Sequence, residues 1–320
     1  MRALWRRRPV RHVVVGLLPL LVVGTAVLVV LGSRFADTAA PLREATGRAL
    51  ATVERSGIGD DSRGVELSWT DEQQVRRTGI VRASGPGRVP AGARVEVRYV
   101  PDDPARVYAA GDETSARLRD LAFGLALIGL TLLLAVSVSI GHIARRAAAT
   151  RRAGARMPVT YARSRRRLLS RSWLVIDDQG RQHWVPVHWE PALTRLLAGT
   201  PAVVHGRPGR DRVLAVDVEG ATVWQAAGRV RSEQPRGEIT MDAPTWSAAT
   251  ARRPADQAAS VGFGLARQLR ADGAVLVAAP VLGLAWAYMD SSGLAGLLAG
   301  TALSAATLLW LPTLLGSDPT

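Results

Sequence analysis

An α+β membrane protein, with four transmembrane helices and two small, mostly antiparallel β modules of barrel or sandwich type, is the fold class that the sequence predicts. Three features carry that expectation: uncharged apolar stretches recur along the chain, arginines crowd one end of the first two, and tracts of short alternating runs lie between them. The first stretch, Val13 to Leu31, is about 28 Å long as a helix, the thickness of a bilayer's hydrocarbon core. A helix over 13–32 is expected behind a basic N-terminus, 1–12, that holds Arg2, Arg6, Arg7, Arg8 and Arg11. Small residues from Ala36 to Ala40 would also suit a leader cleavage site. The apolar stretch is longer than a secretory core and Pro41 follows, so an uncleaved anchor is expected.

The second helix is expected over 119–144, where the apolar run Leu121 to Ala144 carries only His142. Arg145, Arg146, Arg151, Arg152 and Arg156 follow it, then Arg163, Arg165, Arg166, Arg167 and Arg171. Between the first two helices the charges balance, with Arg43, Arg48, Arg55 and Arg63 matched by Glu44, Glu54, Asp60 and Asp61. Cytoplasmic loops collect arginine, so the N-terminus and 145–231 are expected inside a bacterial plasma membrane and 33–118 outside. The Arg145 to Arg171 region is expected to meet anionic lipid head groups, at about 1 kcal/mol per arginine near the surface.

A third helix over 271–289 and a fourth over 293–315 are expected as a tight hairpin turning at Asp290, Ser291 and Ser292. Asp272 and Asp290 bracket the third stretch at the lower length limit for crossing, and Pro280 lies within it, so a re-entrant pair is the alternative. Crossing returns the tail 316–320 to the cytoplasm. Trp286, Tyr288 and Trp310 are placed as interfacial anchors, and Gly296, Gly300 and Ser304 recur at a spacing that lets another helix approach.

From Thr46 to Ala110 the period is two: Leu50, Thr52 and Val53, then Val65, Leu67 and Trp69, then Val75 to Val81, then Val95, Val97 and Tyr99 on one face of Arg94 to Val100. Asp112 and Thr114 offer N-cap oxygens to the helix that follows. The stretch Gly92-Ala-Arg-Val95-Glu-Val97-Arg-Tyr99-Val-Pro101-Asp-Asp103-Pro104, with the opening Thr46-Gly47-Arg-Ala-Leu-Ala-Thr52-Val53, resembles the bacterial domain-of-unknown-function family 3592. In that family a strand of alternating valines ends in a Tyr-x-Pro-x-x-Pro turn, beside transmembrane helices. The resemblance covers Thr46 to Ala110 and departs from the family between Asp71 and Gly87; it implies architecture and no catalytic residues.

The inner module reads alike. Met157 to Arg163 and Ser172 to Asp177 are expected strands, Asp178-Gln179-Gly180 a hairpin turn, and Gln182 to Val187 the return strand. A short helix from Pro191 ends by Gly199, before strands at Thr200 to Gly206 and Arg212 to Val218. The echo of Gly92 to Ala109 in Gly199 to Ala215 predicts a divergent duplication, one module on each side of the membrane. Residues 232–270 lack a period until Asp256 to Arg270, where helical spacing returns as an amphipathic lead-in.

Function is less legible. A formal charge of +14 and a pI near 11.5 point to an anionic partner, and the arginines' place beside a membrane favours lipid, with no nucleic acid expected, even for Arg163 to Arg171 beside Trp173. The absence of cysteine excludes thiol nucleophiles, disulfides and cysteine-ligated metals. No phosphate-binding loop, metalloprotease, nucleophile-elbow or dinucleotide motif occurs. His12 and His142 are expected as solvated residues at span ends, and His183, His188 and His205 as ordinary, partly buried strand residues. His183 and His188 point to opposite faces of a strand, whereas His188 and Glu190 share one. Asp102, Asp103, Asp177 and Asp178 read as turn residues, and Trp184, Trp189 and Trp224 as packing in a small domain. No catalytic, cofactor or metal residue is therefore nominated. A non-enzymatic interaction or scaffold protein of the cell envelope, with a protein partner still to be identified, is expected; a transporter or channel accessory subunit is the alternative. The spans offer such a subunit little beyond Thr131, Ser137, Ser139, Thr301 and Ser304.

Overall fold

A computed structural model describes residues 7–85, 89–166, 169–241, 269, 272–290 and 293–317. Two long apolar helices, α1 (Arg8–Glu44) and α2 (Glu113–Ala149), each lead into an antiparallel sheet, and a helical hairpin follows the second sheet. The hairpin comprises a 3-10 segment, Gly273–Ala278, continued by α3 (Ala279–Asp290), and then α4 (Gly293–Leu315). Helices α1, α2 and α4 are long and apolar enough to cross a membrane. The amphipathic lead-in expected over Asp256 to Arg270 lies outside the described residues apart from Leu269. Both α1 and α2 run past the apolar stretches expected to span: Asp112 caps α2 early by accepting the Ser115 N–H at 2.7 Å, and α1 continues through Pro41 to Glu44. By contacts the chain falls into two compact units, Thr25–Thr131 and Met1–Gly24 with Leu132–Thr320.

In the first unit β1 (Gly47–Ile58), β2 (Gly64–Thr70), β3 (Arg76–Arg82), β4 (Arg94–Val100) and β5 (Asp103–Ala109) form a sheet in the order β3-β2-β1-β4-β5. Alternation fills its inside with Ala51, Val53, Val65, Leu67, Trp69, Val97 and Tyr99, while Leu50 is exposed. Gly47 is obligatory where the chain enters β1, because a Cβ there would stand 2.5 Å from the Tyr99 ring. The stretch after Asp71, where the family resemblance fails, is a regular hairpin held by the Asp71 carboxylate, which accepts the Gln73 and Val75 N–H groups and pairs with Arg77 at 2.9 Å. Pro101 and Asp102 turn the chain and Asp103 opens β5, a strand missed by sequence reading because its outward residues interrupt the valine pattern.

In the second unit β6 (Gly154–Arg166), β7 (Leu169–Asp178), β8 (Arg181–Val187), β9 (Thr200–His205), β10 (Ala215–Val218) and β11 (Ala221–Trp224) take the order β11-β10-β9-β6-β7-β8, and β12 (Glu238–Met241) pairs with β6. Its first five strands repeat the order of the first sheet. In both, the opening strand divides its partners, pairing early with the fourth strand (Gly47 with Tyr99, Gly154 with His205) and late with the second (Ser56 with Val65, Arg165 with Ser170). Such agreement in order and register is what a duplicated helix-plus-module unit produces. One sheet closes into a near-barrel and the other into a half-barrel.

The expected hairpin turn is present, with Gln179 and Gly180 at φ 54° and 86°. The helix expected from Pro191 is a short 3-10 turn, Pro191–Arg195. Strand β12 lies inside the stretch read as an aperiodic linker; four residues are too few to display a period. Strand β7 is buried on both faces: Leu174 and Ile176 enter the main core, while Trp173 and Val175 join Trp184 and Ala162 in a second cluster.

The helices of this unit pack through small residues. A Cβ at Gly300 would lie 3.2 Å from the Gly283 Cα, and one at Gly283 would run into Thr301, so α3 and α4 touch at backbone distance. This gives part of the Gly296, Gly300 and Ser304 spacing a packing role. Val13, Leu17 and Leu20 of α1, Ala135 of α2 and Ala306, Trp310 and Leu314 of α4 share one cluster. Tyr288 is exposed, as an anchor would be, but Trp310 is buried and donates to Ser139 Oγ at 3.0 Å, because it faces α2 and not the outside of the bundle.

Candidate functional site

The polar groups of the second unit converge on a seam between its sheet and the ends of α1, α2 and α4. A helix ends with carbonyls that lack intrahelical partners. At the end of α4, Gly316 takes φ 69°, and the Ser317 N–H turns back to Pro312 O at 3.3 Å. The carbonyls left over are satisfied by the sheet: Leu314 O accepts the Ala227 N–H at 2.6 Å, and Leu315 O accepts Arg171 Nε at 3.1 Å and Nη2 at 3.0 Å. Arg171 Nη2 also reaches Ala227 O at 3.0 Å, so one cation caps a helix dipole and ties it to the segment Gln225 to Ala227 that follows β11.

Arg146, in the last turn of α2, grips the same segment. Its guanidinium donates to Gln225 O at 2.6 Å, Ala226 O at 3.0 Å and His142 O at 3.1 Å, and the residue is buried. The buried Gln225 side chain fixes that segment from the other direction, accepting the Leu214 N–H and donating to Arg212 O and Gly228 O. At the hairpin's base Ser317 Oγ donates to Asp272 Oδ2 at 3.0 Å.

Beside these clamps lies a histidine pair. His142 Nε2 and His188 Nε2 are 3.0 Å apart with their rings edge to face, and the His12 ring centroid is 6.4 Å from that of His188. His142 is therefore not the solvated residue expected at a span end: α2 continues past it, and β8 delivers His188 against it, so both are buried. One ring donates and the other accepts, which requires at least one to be neutral at Nε2. Burial drives His188 well below the ordinary histidine value, and His142, His12, Arg146 and Arg171 add to the depression, so it is uncharged at neutral pH. Glu190, also buried and on the same side of the chain as His188, faces Arg8 at 3.9 Å. Arg7 lies over the Trp224 ring at 5.3 Å.

Other nominated residues lie elsewhere. His183 is half-buried on β8, and Trp184, Trp189 and Trp224 are buried as expected of packing residues. Of the arginines expected to face lipid, Arg145, Arg151 and Arg156 are exposed, whereas Arg146 and Arg171 are turned inward and Arg152 reaches Val213 O at 3.0 Å. The side chains of Arg166 and Arg167 lie outside the described residues. Among the described residues no three His, Asp or Glu side chains are grouped to hold a metal ion. The two clamps escaped sequence reading because an arginine that caps a distant strand has the same local signature as one that faces lipid. Its only trace is position, the last turn of a helix for Arg146.

His205 bonds Arg152 O through Nδ1 at 2.9 Å and Asp217 Oδ2 through Nε2 at 2.8 Å, so both ring nitrogens face acceptors. The hydrogen bond to Asp217 raises the His205 value; burial alone would raise that of Asp217, but the bonds from His205 and Thr222 outweigh it and the carboxyl titrates lower. The pair therefore stabilises the sheet fully between the ordinary values of the two groups, about 3.9 and about 6.5. Stability should fall as pH rises through the raised His205 value, and again as it drops through the lowered Asp217 value. Chemical denaturation at pH 6 and pH 9 should show this difference in the native chain and a smaller one in His205→Gln.

No family model, curated protein or solved structure matches the chain.

Proposed function

We propose that this chain is a multi-pass bacterial plasma-membrane protein that acts without catalysis, as a scaffold whose inner β module presents a binding surface to a protein partner in the envelope. One observation carries the reading: α4 is capped through Ala227 and Arg171, and Arg146 grips the same segment after β11, so the module is mounted on the helices of its own unit. Mounting of this kind fixes a surface in space and creates no reaction centre. The duplicated helix-plus-module order supports a second platform on the outer side, and the Pro101 turn between β4 and β5 supports the likeness of that module to family 3592.

In this reading all four helices cross. The 3-10 residues Gly273–Ala278 rise about 2.0 Å each and the residues of α3 about 1.5 Å each, so the segment extends about 30 Å, enough for the hydrocarbon core. Pro280, at the second position of α3, sits where its missing N–H costs least. Both termini are then cytoplasmic, and Arg145, Arg151 and Arg156 lie level with anionic head groups.

The chain has no cysteine, so single substitutions report topology without background. A membrane-impermeant maleimide added to intact cells should label Ser62→Cys at once and Gln179→Cys only after permeabilisation. The reverse order inverts the arrangement. Photo-crosslinking in native membranes from positions on the inner module should recover a discrete protein partner; recovery of lipid alone removes the scaffold reading.

A further inference from the structure

A bond between two imidazole nitrogens holds one proton. His142 Nε2 and His188 Nε2, buried and 3.0 Å apart, make such a bond across the seam, from α2 to the residue that follows β8. A further proton on the accepting Nε2 would set two N–H groups face to face at that distance and break the contact. The other places open to it are the Nδ1 atoms. That of His188 is sealed from water and has no hydrogen-bond partner, so an N–H formed there lacks an acceptor. One formed on His142 would place a charge one helical turn from Arg146, whose guanidinium already bonds His142 O at 3.1 Å.

The surroundings oppose protonation as well. Arg146 on α2, Arg171 on β7 and the His12 ring on α1 all act on His188 as positive or protonatable groups. Glu190, two residues beyond His188, faces Arg8 of α1 at 3.9 Å, and neither α4 nor Gln225 to Ala227 contains a charged residue. Burial, with these cations, holds His188 well below the ordinary histidine value. The same two arginines are the clamps: Arg146 grips Gln225 O and Ala226 O, and Arg171 caps α4 at Leu315 O. An imidazolium beside them repels both groups that hold the seam shut.

We infer that the His142 and His188 pair is a proton-operated latch, closed while both rings are neutral, and that uptake of two protons opens the seam and frees the second sheet from the ends of α2 and α4. The inference goes beyond the scaffold reading and does not depend on it; within that reading, acid is the signal that moves the presented surface. At neutral pH the apolar contact of Val10 and Ala149 with Ala215 and Trp224 adds to the closed state. Once the seam opens, each ring takes a proton at the ordinary value of about 6.5. Below that pH the open form binds more protons than the closed one, so the closed seam loses stability as pH falls. Between pH 7.5 and pH 5.5 the opening equilibrium should shift about tenfold for each histidine and about 100-fold for both.

The test uses the full-length protein in detergent and reads exchange of the Ala227 amide, which bonds Leu314 O at 2.6 Å and is released when the seam opens. After correction for the intrinsic effect of pH on exchange, its protection should fall about 100-fold from pH 7.5 to pH 5.5. Amides of the first sheet should keep theirs, because residues 47–109 contain no histidine. His142→Gln retains a side chain able to bond His188 but removes one titration, so the fall should shrink to about tenfold, and His142→Gln with His188→Gln should abolish it. His205, whose pair with Asp217 responds to pH in the opposite sense, is present in every arm and cancels in the comparison. Unchanged protection of Ala227 in the native chain overturns the proposal, as does an equal fall in the doubly substituted one. If the double variant does not fold, the native chain still decides: below pH 6 the logarithm of protection should fall with a slope approaching two, and a slope of one or less overturns the two-proton latch.

Discussion

Replacing Arg146 by methionine should cost the second unit about 3–5 kcal/mol and release its sheet from the end of α2. The guanidinium is buried and satisfies Gln225 O, Ala226 O and His142 O at once. Hydrogen bonds from a charged donor contribute about 1.5–3 kcal/mol each, and a methionine of similar length leaves the Gln225 and Ala226 carbonyls facing an apolar chain, while His142 O keeps its helical partner. Arg146→Lys should fall between, since an ammonium keeps the charge but lacks the planar fork that reaches three acceptors. Thermal unfolding in detergent should show the loss, together with faster proteolysis near Gly228 to Arg236, which follows the freed residues Gln225 and Ala226. The sheet of the first unit, which contains none of these groups, should keep its stability. A change below about 1 kcal/mol for Arg146→Met would mean that water replaces the guanidinium and that the seam is not the mount proposed for the module.

The helices and most strands are legible because each depends on a period within its own segment. The face of Val95, Val97 and Tyr99 on β4 and the Gln179-Gly180 turn need only neighbouring residues to be read. Strands β5 and β12 are not legible, because their outward residues mask alternation and they are held in place by partners far along the chain. The seam is illegible for the same reason. His142 and His188 are separated by 46 positions, and Arg171 and Leu315 by 144, so no local pattern can connect them. The echo of Gly92 to Ala109 in Gly199 to Ala215 bridges part of that gap, because the two sheets share the order of their first five strands.

A methyl group on Gly316 should open the seam from its other side, at a cost of about 3 kcal/mol or more. Two effects add there. The residue holds φ 69°, where any L side chain is strained by about 1–2 kcal/mol. Its Cβ would also stand 2.6 Å from the Ala226 Cβ and 2.8 Å from Val187 O, and neither is the movable end of a side chain. Gly293 separates the two, since it holds φ 61° with nothing within 4 Å of a Cβ. Gly293→Ala should therefore show the conformational strain alone, about 1–2 kcal/mol, and Gly316→Ala should exceed it. Gly316→Asn, whose side chain tolerates the left-handed region, should recover part of the strain but stay destabilised because the clash persists. Hydrogen exchange of the Ala227 amide, which bonds Leu314 O, is the direct readout: it should accelerate in both Gly316 variants and stay slow in Gly293→Ala. Equal behaviour of Gly293→Ala and Gly316→Ala would show that the end of α4 is free of the sheet, and with it the mounting on which the scaffold reading depends would be lost.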